Sequence, residues 1–229
     1  MRIIKAAAVL VFILVLIASA GVFYIDRIVT VVLEKKYDLG ISYKGCSKNF
    51  SGEFTFKDLS VASNATGMGI FSGTAKIKPS LKDKKVLLDF ALTDGKFLKK
   101  SAAGPVQYDT LTALVSAPFS SEWRYKKISG QVEPTDNGMK INNFEAVSDE
   151  IRLSLNGELF GNGDIRTKVV IYFASELTAK IPPEFAAMLL TSEQNGWKSL
   201  SVNLTGNPNK PAIQVSSKAF RLSIKAVEM

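Results

Sequence analysis

The sequence predicts a mainly β protein, in which a single N-terminal transmembrane helix is followed by a curved antiparallel β-sheet, taco-like with a groove, and by one or two short helices. Three observations predict this class. A run of 20 residues near the N-terminus has no charged side chain, apolar and polar residues alternate after residue 40, and short turn signals separate the alternating segments. We therefore divide the chain into an anchor part, residues 1–36, and a β-rich domain, residues 37–229.

The uncharged run extends from Ala6 to Ile25. A helix of 20 residues spans about 30 Å, which matches the hydrocarbon thickness of a bilayer. Arg2 and Lys5 precede the run, and the positive-inside bias keeps such an N-terminus in the cytoplasm. We expect a single-pass protein whose residues after Asp26 lie across the membrane.

A cleaved signal peptide is the alternative, because Ala18-Ser19-Ala20 has the form of a signal-peptidase site. Two features favour an anchor that is retained. The apolar run continues past Ala20 to Ile25, and residues 26–36 then follow a helical pattern with one apolar face. Cleavage after Ala20 stays open at the level of the sequence.

Alternation predicts strands in the first half of the domain. Residues 52–61 change phase once, because Phe54 and Phe56 alternate and the pattern then slips by one position, which predicts a β-bulge. Two further strands are predicted at residues 69–79 and 85–92. A short amphipathic helix that ends at Pro118 is predicted at residues 108–118.

The second half has clearer alternation and clearer turns. Pro182-Pro183 interrupts it, and residues 184–190 predict one or two turns of helix. Glycine, asparagine and aspartate turn signals separate the strands before that helix. The predicted strands are residues 128–133, 139–147, 150–159, 164–174, 200–204, 213–215 and 220–224.

Short connections between successive strands predict an antiparallel meander, which usually buries one face only. Two short helices are too few to cover that face, so part of it would close on itself or stay accessible as an apolar furrow of lipid size. Alternating apolar side chains are the candidates for lining this lipid groove, although each one alone is more typical of a core. They are Phe54, Phe56, Ile141, Ile151, Leu153, Leu155, Val169, Ile171 and Phe173.

Composition restricts the chemistry. The chain has no histidine and one cysteine, Cys46, which excludes histidine-based triads, the usual zinc sites and an intramolecular disulfide. We expect no enzyme, no metal site and no cofactor. Of the net charge of +8, residues 1–36 contribute +3 and the remaining residues +5. The latter surplus is spread over short separate basic pieces without interleaved aromatics, so we expect no nucleic-acid partner. A basic surface of this kind suits anionic lipid headgroups.

Several segments resemble the AsmA-like family of Gram-negative envelope proteins, which are anchored in the inner membrane and are similar to bridge-like lipid-transfer proteins. The helix that leaves the membrane through residues 24–37 resembles the start of the family, and residues 52–61 resemble its first hairpin. Glycine-punctuated strands and a closing segment resemble its C-terminal region at residues 128–132, 137–147, 151–159 and 204–211.

The resemblance implies a bacterial inner-membrane protein with its bulk in the periplasm. It implies a non-catalytic role in which the protein binds or transfers phospholipid or another acyl-chain lipid and supports outer-membrane biogenesis and envelope homeostasis. The alternative is a structural or assembly factor of the envelope, such as a secretion-system N-type subunit, whose sheet edges pair with protein partners. An enzyme is the third possibility, and the missing histidine disfavours it.

Overall fold

The described residues form one antiparallel sheet of 13 strands, which confirms the predicted fold class of a mainly β chain with a curved antiparallel sheet and few helices. The predicted anchor and its helical extension, residues 1–36, lie outside the described residues. Among the residues described, no helix is long and apolar enough to cross a membrane. The computed structural model describes residues 39–49, 51–63, 69–83, 85–98, 114–115, 117–160, 162, 164–207, 212–216 and 221–225.

The strands are β1 (Leu39–Ser42), β2 (Gly45–Lys48), β3 (Phe54–Ser63), β4 (Gly69–Lys82), β5 (Lys85–Leu98), β6 (Tyr125–Thr135), β7 (Gly138–Val147), β8 (Ile151–Phe160), β9 (Ile165–Phe173), β10 (Thr191–Ser192), β11 (Lys198–Gly206), β12 (Ala212–Ser216) and β13 (Arg221–Lys225). They lie side by side in the order β1-β3-β4-β5-β6-β7-β8-β9-β11-β12-β13. The short strands β2 and β10 add to β3 and β11. Chain order is therefore nearly sheet order, as the predicted meander requires.

The helices are short. The helix predicted at residues 184–190 is observed as α2 (Pro183–Leu189), with a proline at its first turn, and α1 (Ser175–Thr178) precedes it. Two 3₁₀ helices cover Ala117–Phe119 and Gln194–Gly196. Of the helix predicted at 108–118, residues 108–113 and 116 lie outside the described part of the chain.

Buried side chains lie on one face of the sheet, which we call the inner face. Leu153 pairs with Ile171 and Ile171 pairs with Leu200 across three neighbouring strands, and all three are buried. Ala186 and Leu189 of α2 pack against the same face. One hydrophobic cluster, the main cluster, extends in this way from β1 to β12.

The bulge predicted in residues 52–61 takes a different form. Asp58 has a left-handed backbone (φ 50°), but the register of β3 with β4 does not shift there. The buried positions change phase at aligned residues of four neighbouring strands: Asp58, Gly73, Asp94 and Lys126. The phase of the buried positions changes at the same level in all four strands. The inner face therefore stays apolar without an extra residue in any one strand.

A true bulge occurs in β7 instead. Asn143 has φ 51° and is the extra residue, because the register shifts on both sides of β7 at this point. The backbone N–H of Asn143 donates a hydrogen bond of 2.7 Å to Oδ1 of Asn156 on β8. Asparagine tolerates the left-handed region better than most residues, which explains its presence there.

The two ends of the sheet differ. At the helix end, β9 finishes at Phe173, paired with Lys198, and α1 and α2 fill the connection between them. The 3₁₀ helix Ala117–Phe119 precedes β6 at the same end, and β1 begins there with Leu39 opposite Ser63. At the hairpin end, tight turns join β4 to β5 and β6 to β7.

Candidate functional site

The predicted groove residues all lie on the inner face. Leu153 pairs with Ile171, Leu155 with Val169, and the two strands that carry them contribute most of the set. Seven are buried members of the main cluster: Phe54, Phe56, Ile151, Leu153, Val169, Ile171 and Phe173. Leu155 is partly buried against that cluster, and Ile141 packs against a second, smaller one. The structure thus brings the set together, and most of it lies in the protein core.

The inner face is filled at the helix end. Tyr125 is fully buried there, and its hydroxyl donates a hydrogen bond of 2.6 Å to the carbonyl of Pro118. The ring of Phe97 makes edge contacts with Phe119 and Tyr125, at centroid distances of 5.4 and 5.6 Å. Burial raises the pKa of Tyr125 well above its ordinary value. A neutral, hydrogen-bonded phenol therefore fixes the 3₁₀ helix to β6.

Polar groups inside the described part of the core are satisfied. The Ser148 hydroxyl donates to the carbonyl of Ile151 and accepts from its N–H, both at 2.9 Å. The Ser72 hydroxyl bonds the carbonyls of Thr74 and Thr93 at the phase slip, where the backbone is irregular. Within the described residues, no buried side-chain nitrogen or oxygen lacks a partner. These polar side chains complete the backbone hydrogen bonding and leave the interior apolar.

An aromatic wall crosses the inner face between the two ends. The rings of Phe90 and Phe144 lie 6.1 Å apart on either side of Gly130. A Cβ atom at Gly130 would lie 2.9 Å from the Phe90 ring and 3.1 Å from the backbone of Phe144. Phe90 packs against both hydrophobic clusters, so the wall marks the boundary between them.

Beyond this wall the inner face becomes progressively exposed. Leu88 and Val132 are buried neighbours on β5 and β6, and they form the second cluster. Val86 is 45% exposed and Leu81, its partner across the hairpin, is 75% exposed. We call this surface the hairpin-end patch: Leu81, Val86, Leu88, Val132, Met139 and Ile141.

Charged side chains lie at the same end of the sheet, on the face opposite to the patch. Lys82 and Lys85 face each other across the β4–β5 hairpin. The Lys85 ammonium donates a hydrogen bond of 2.6 Å to a carboxylate oxygen of Glu133, which raises the pKa of Lys85.

Sequence reasoning placed Ile141 in the site but missed its neighbours. A signal was present in the consecutive apolar residues Val86, Leu87 and Leu88. Such a run hides the phase of a strand, and only the register assigns Val86 and Leu88 to the inner face with Leu87 on the other. Leu81 is exposed because it lies next to the β4–β5 turn, and alternation alone does not locate that turn.

Acidic side chains that could form a carboxylate pair are used elsewhere. Asp149 bonds Lys126 at 2.6 Å on the surface, and Glu133 bonds Lys85. In the part of the chain that the structure describes, no three or more Cys, Asp or Glu side chains gather as a metal site would require. Among the described residues, the hairpin-end patch is therefore our candidate functional site.

Comparison with known proteins adds no relative. No protein-family model, curated protein or solved structure gives a significant match to this chain.

Proposed function

We propose that this chain is a non-catalytic, membrane-anchored protein of the bacterial envelope that binds or helps to transfer lipid through the apolar inner face of its sheet. The anchor is residues 6–25, and the bulk of the chain lies in the periplasm. The observation that carries the proposal is the continuation of the inner face past the aromatic wall into exposed Leu81 and Val86. The resemblance of the sequence to AsmA-like proteins supports the same role in envelope homeostasis.

An acyl chain fits the hairpin-end patch for a physical reason. Apolar surface that stays in contact with water costs about 25 cal/mol per Å², and a hydrocarbon chain removes that cost without needing a polar partner. Val86 and Leu81 are the exposed members, while Leu88 and Val132 form the base of the patch.

A photo-crosslinker at two neighbouring positions of β7 tests the proposal in the full chain. Position 139 lies on the inner face, and position 140 is exposed on the opposite face of the same strand. Benzoylphenylalanine at 139 is expected to give a phospholipid adduct by mass spectrometry after irradiation in cell membranes, and at 140 it is expected to give none. Equal labelling at both positions, or no lipid at either, contradicts the proposal.

A structural or assembly role is the second candidate, and the open sheet favours it. Among the described strands, β13 pairs with β12 alone, while β1 and β2 pair with β3 alone. Strands at the edge of an open sheet are the ones to which a strand of a partner protein can add. Crosslinks from edge position 47 to a secretin-type protein, in place of lipid crosslinks from position 139, would support this role over lipid binding.

A further inference from the structure

Large apolar side chains that are well exposed in the described part of the chain form two pairs at opposite ends of the sheet. Leu81 and Val86 belong to the hairpin-end patch. Phe185 and Met188, which are 42% and 44% exposed, lie on α2 at the helix end. They are three positions apart along the helix, so their side chains are neighbours on its surface.

The second pair lies beside a well-packed helix face. Ala186 and Leu189 hold α2 against the main cluster, so its position relative to the sheet is set by the core. Phe185 and Met188 therefore project outward from a fixed helix. Lys180 and Glu184 are both exposed near them, and their opposite charges leave the apolar pair as the distinguishing feature.

The chain enters the sheet at the same end. β1 begins at Leu39, which pairs with Ser63 at the helix end. Residues 26–38 join this strand to the predicted membrane span, and as a helix they would cover about 20 Å. A tether of this length would keep the helix end of the sheet close to the bilayer.

We propose that Phe185 and Met188 rest in the headgroup region of the bilayer that holds the anchor. The helix end then faces the membrane, and the hairpin-end patch points away from it. A helix lying at the interface buries its apolar side chains about 5–10 Å into the boundary between headgroups and acyl chains. The inference rests on the anchoring part of the proposed function.

Lipid-borne quenchers test the proposal in the full chain. Cys46 is first replaced by Ser, and an environment-sensitive fluorophore is attached at Met188→Cys in nanodiscs of phosphatidylethanolamine and phosphatidylglycerol. Nitroxide on the lipid headgroup is expected to quench this label, and the bilayer interface is expected to shift its emission to shorter wavelength. The same label at Lys140→Cys, which is exposed on the opposite face of β7, is expected to show neither effect. Phe185→Cys serves as a second probe and should behave like Met188→Cys.

The outcomes separate the two ideas. A chain that is not retained in nanodiscs overturns the anchor and this inference together. A chain that is retained, with labels at 185 and 188 that respond to lipid no more than the label at 140, overturns the inference and leaves the anchor standing. Protection from a water-soluble quencher without quenching by lipid assigns the pair to a protein contact and also overturns the inference.

Discussion

Replacing Leu153 by alanine measures whether the inner face is core or trough at its centre. Leu153 is 2% exposed and pairs with Ile171 inside the main cluster. Three buried carbon atoms are lost, worth about 0.8 kcal/mol each, or about 2.4 kcal/mol in transfer free energy. The unfilled part of the cavity adds about 24 cal/mol per Å³. The free energy of unfolding should therefore fall by about 3 kcal/mol.

The assay is reversible unfolding of the full chain in detergent, followed by circular dichroism. For a folded unit of this size, about 3 kcal/mol corresponds to a fall in Tm of roughly 6–12 °C. Leu81→Ala is the matched control, because the same substitution at a 75% exposed position should change stability by less than about 0.5 kcal/mol. Lipid crosslinking from position 139 should be unchanged by Leu153→Ala.

A different result would reverse the interpretation. If the side chain of Leu153 contacts lipid in place of protein, Leu153→Ala would leave Tm near the wild-type value and would reduce bound lipid. Equal destabilisation by Leu153→Ala and Leu81→Ala would also refute the reasoning, because it would mean that burial does not distinguish the two ends of the inner face.

Two further predictions concern single side chains. The pKa of Tyr125 is raised above the ordinary 10.0, so the phenol contributes stability that is fully present below pH 10 and is lost as the pH rises further. Tyr125→Phe should cost about 1–3 kcal/mol at neutral pH by leaving the Pro118 carbonyl without its partner, and should weaken the alkaline loss in chemical unfolding; a parallel loss in both proteins would contradict this. Asp94→Val should lower the free energy of unfolding by about 1–3 kcal/mol because of the left-handed backbone at φ 52°, while Asp94→Asn should be nearly neutral. If both substitutions lowered the free energy of unfolding equally, the loss would come from the missing carboxylate, and the prediction would be wrong.

The sequence-based prediction succeeds where periodicity is local. β8 alternates strictly from Ile151 to Asn156, so this strand and its apolar face are predictable. β1 and β2 have four residues each, too few for alternation to be recognised, and they were missed. The phase slip at Asp58 was visible in β3, but its nature depends on the matching slips in the neighbouring strands.

The candidate site is harder to predict for a related reason. Alternation tells which residues share a face, and it does not tell what covers that face. Ile171 and Ile141 both belong to the predicted apolar face, yet one is in the main cluster and the other lies beyond the aromatic wall. The difference comes from the helices, which gather at one end of the sheet because the connections before β6 and after β9 are the long ones.

Because helices cover the inner face at one end of the sheet only, lipid binding at the hairpin end is favoured over passage along the whole inner face. β4 has 14 residues and spans about 45 Å at about 3.3 Å per residue. A lipid that travelled this length from the helix end would have to displace Tyr125, Ile171 and their neighbours, all of which are close-packed. An acyl chain held against the exposed side chains of Leu81 and Val86 displaces only water. A transfer role would then require that lipid arrives at and leaves from the same end, with the aromatic wall of Phe90 and Phe144 as the inner limit of the site.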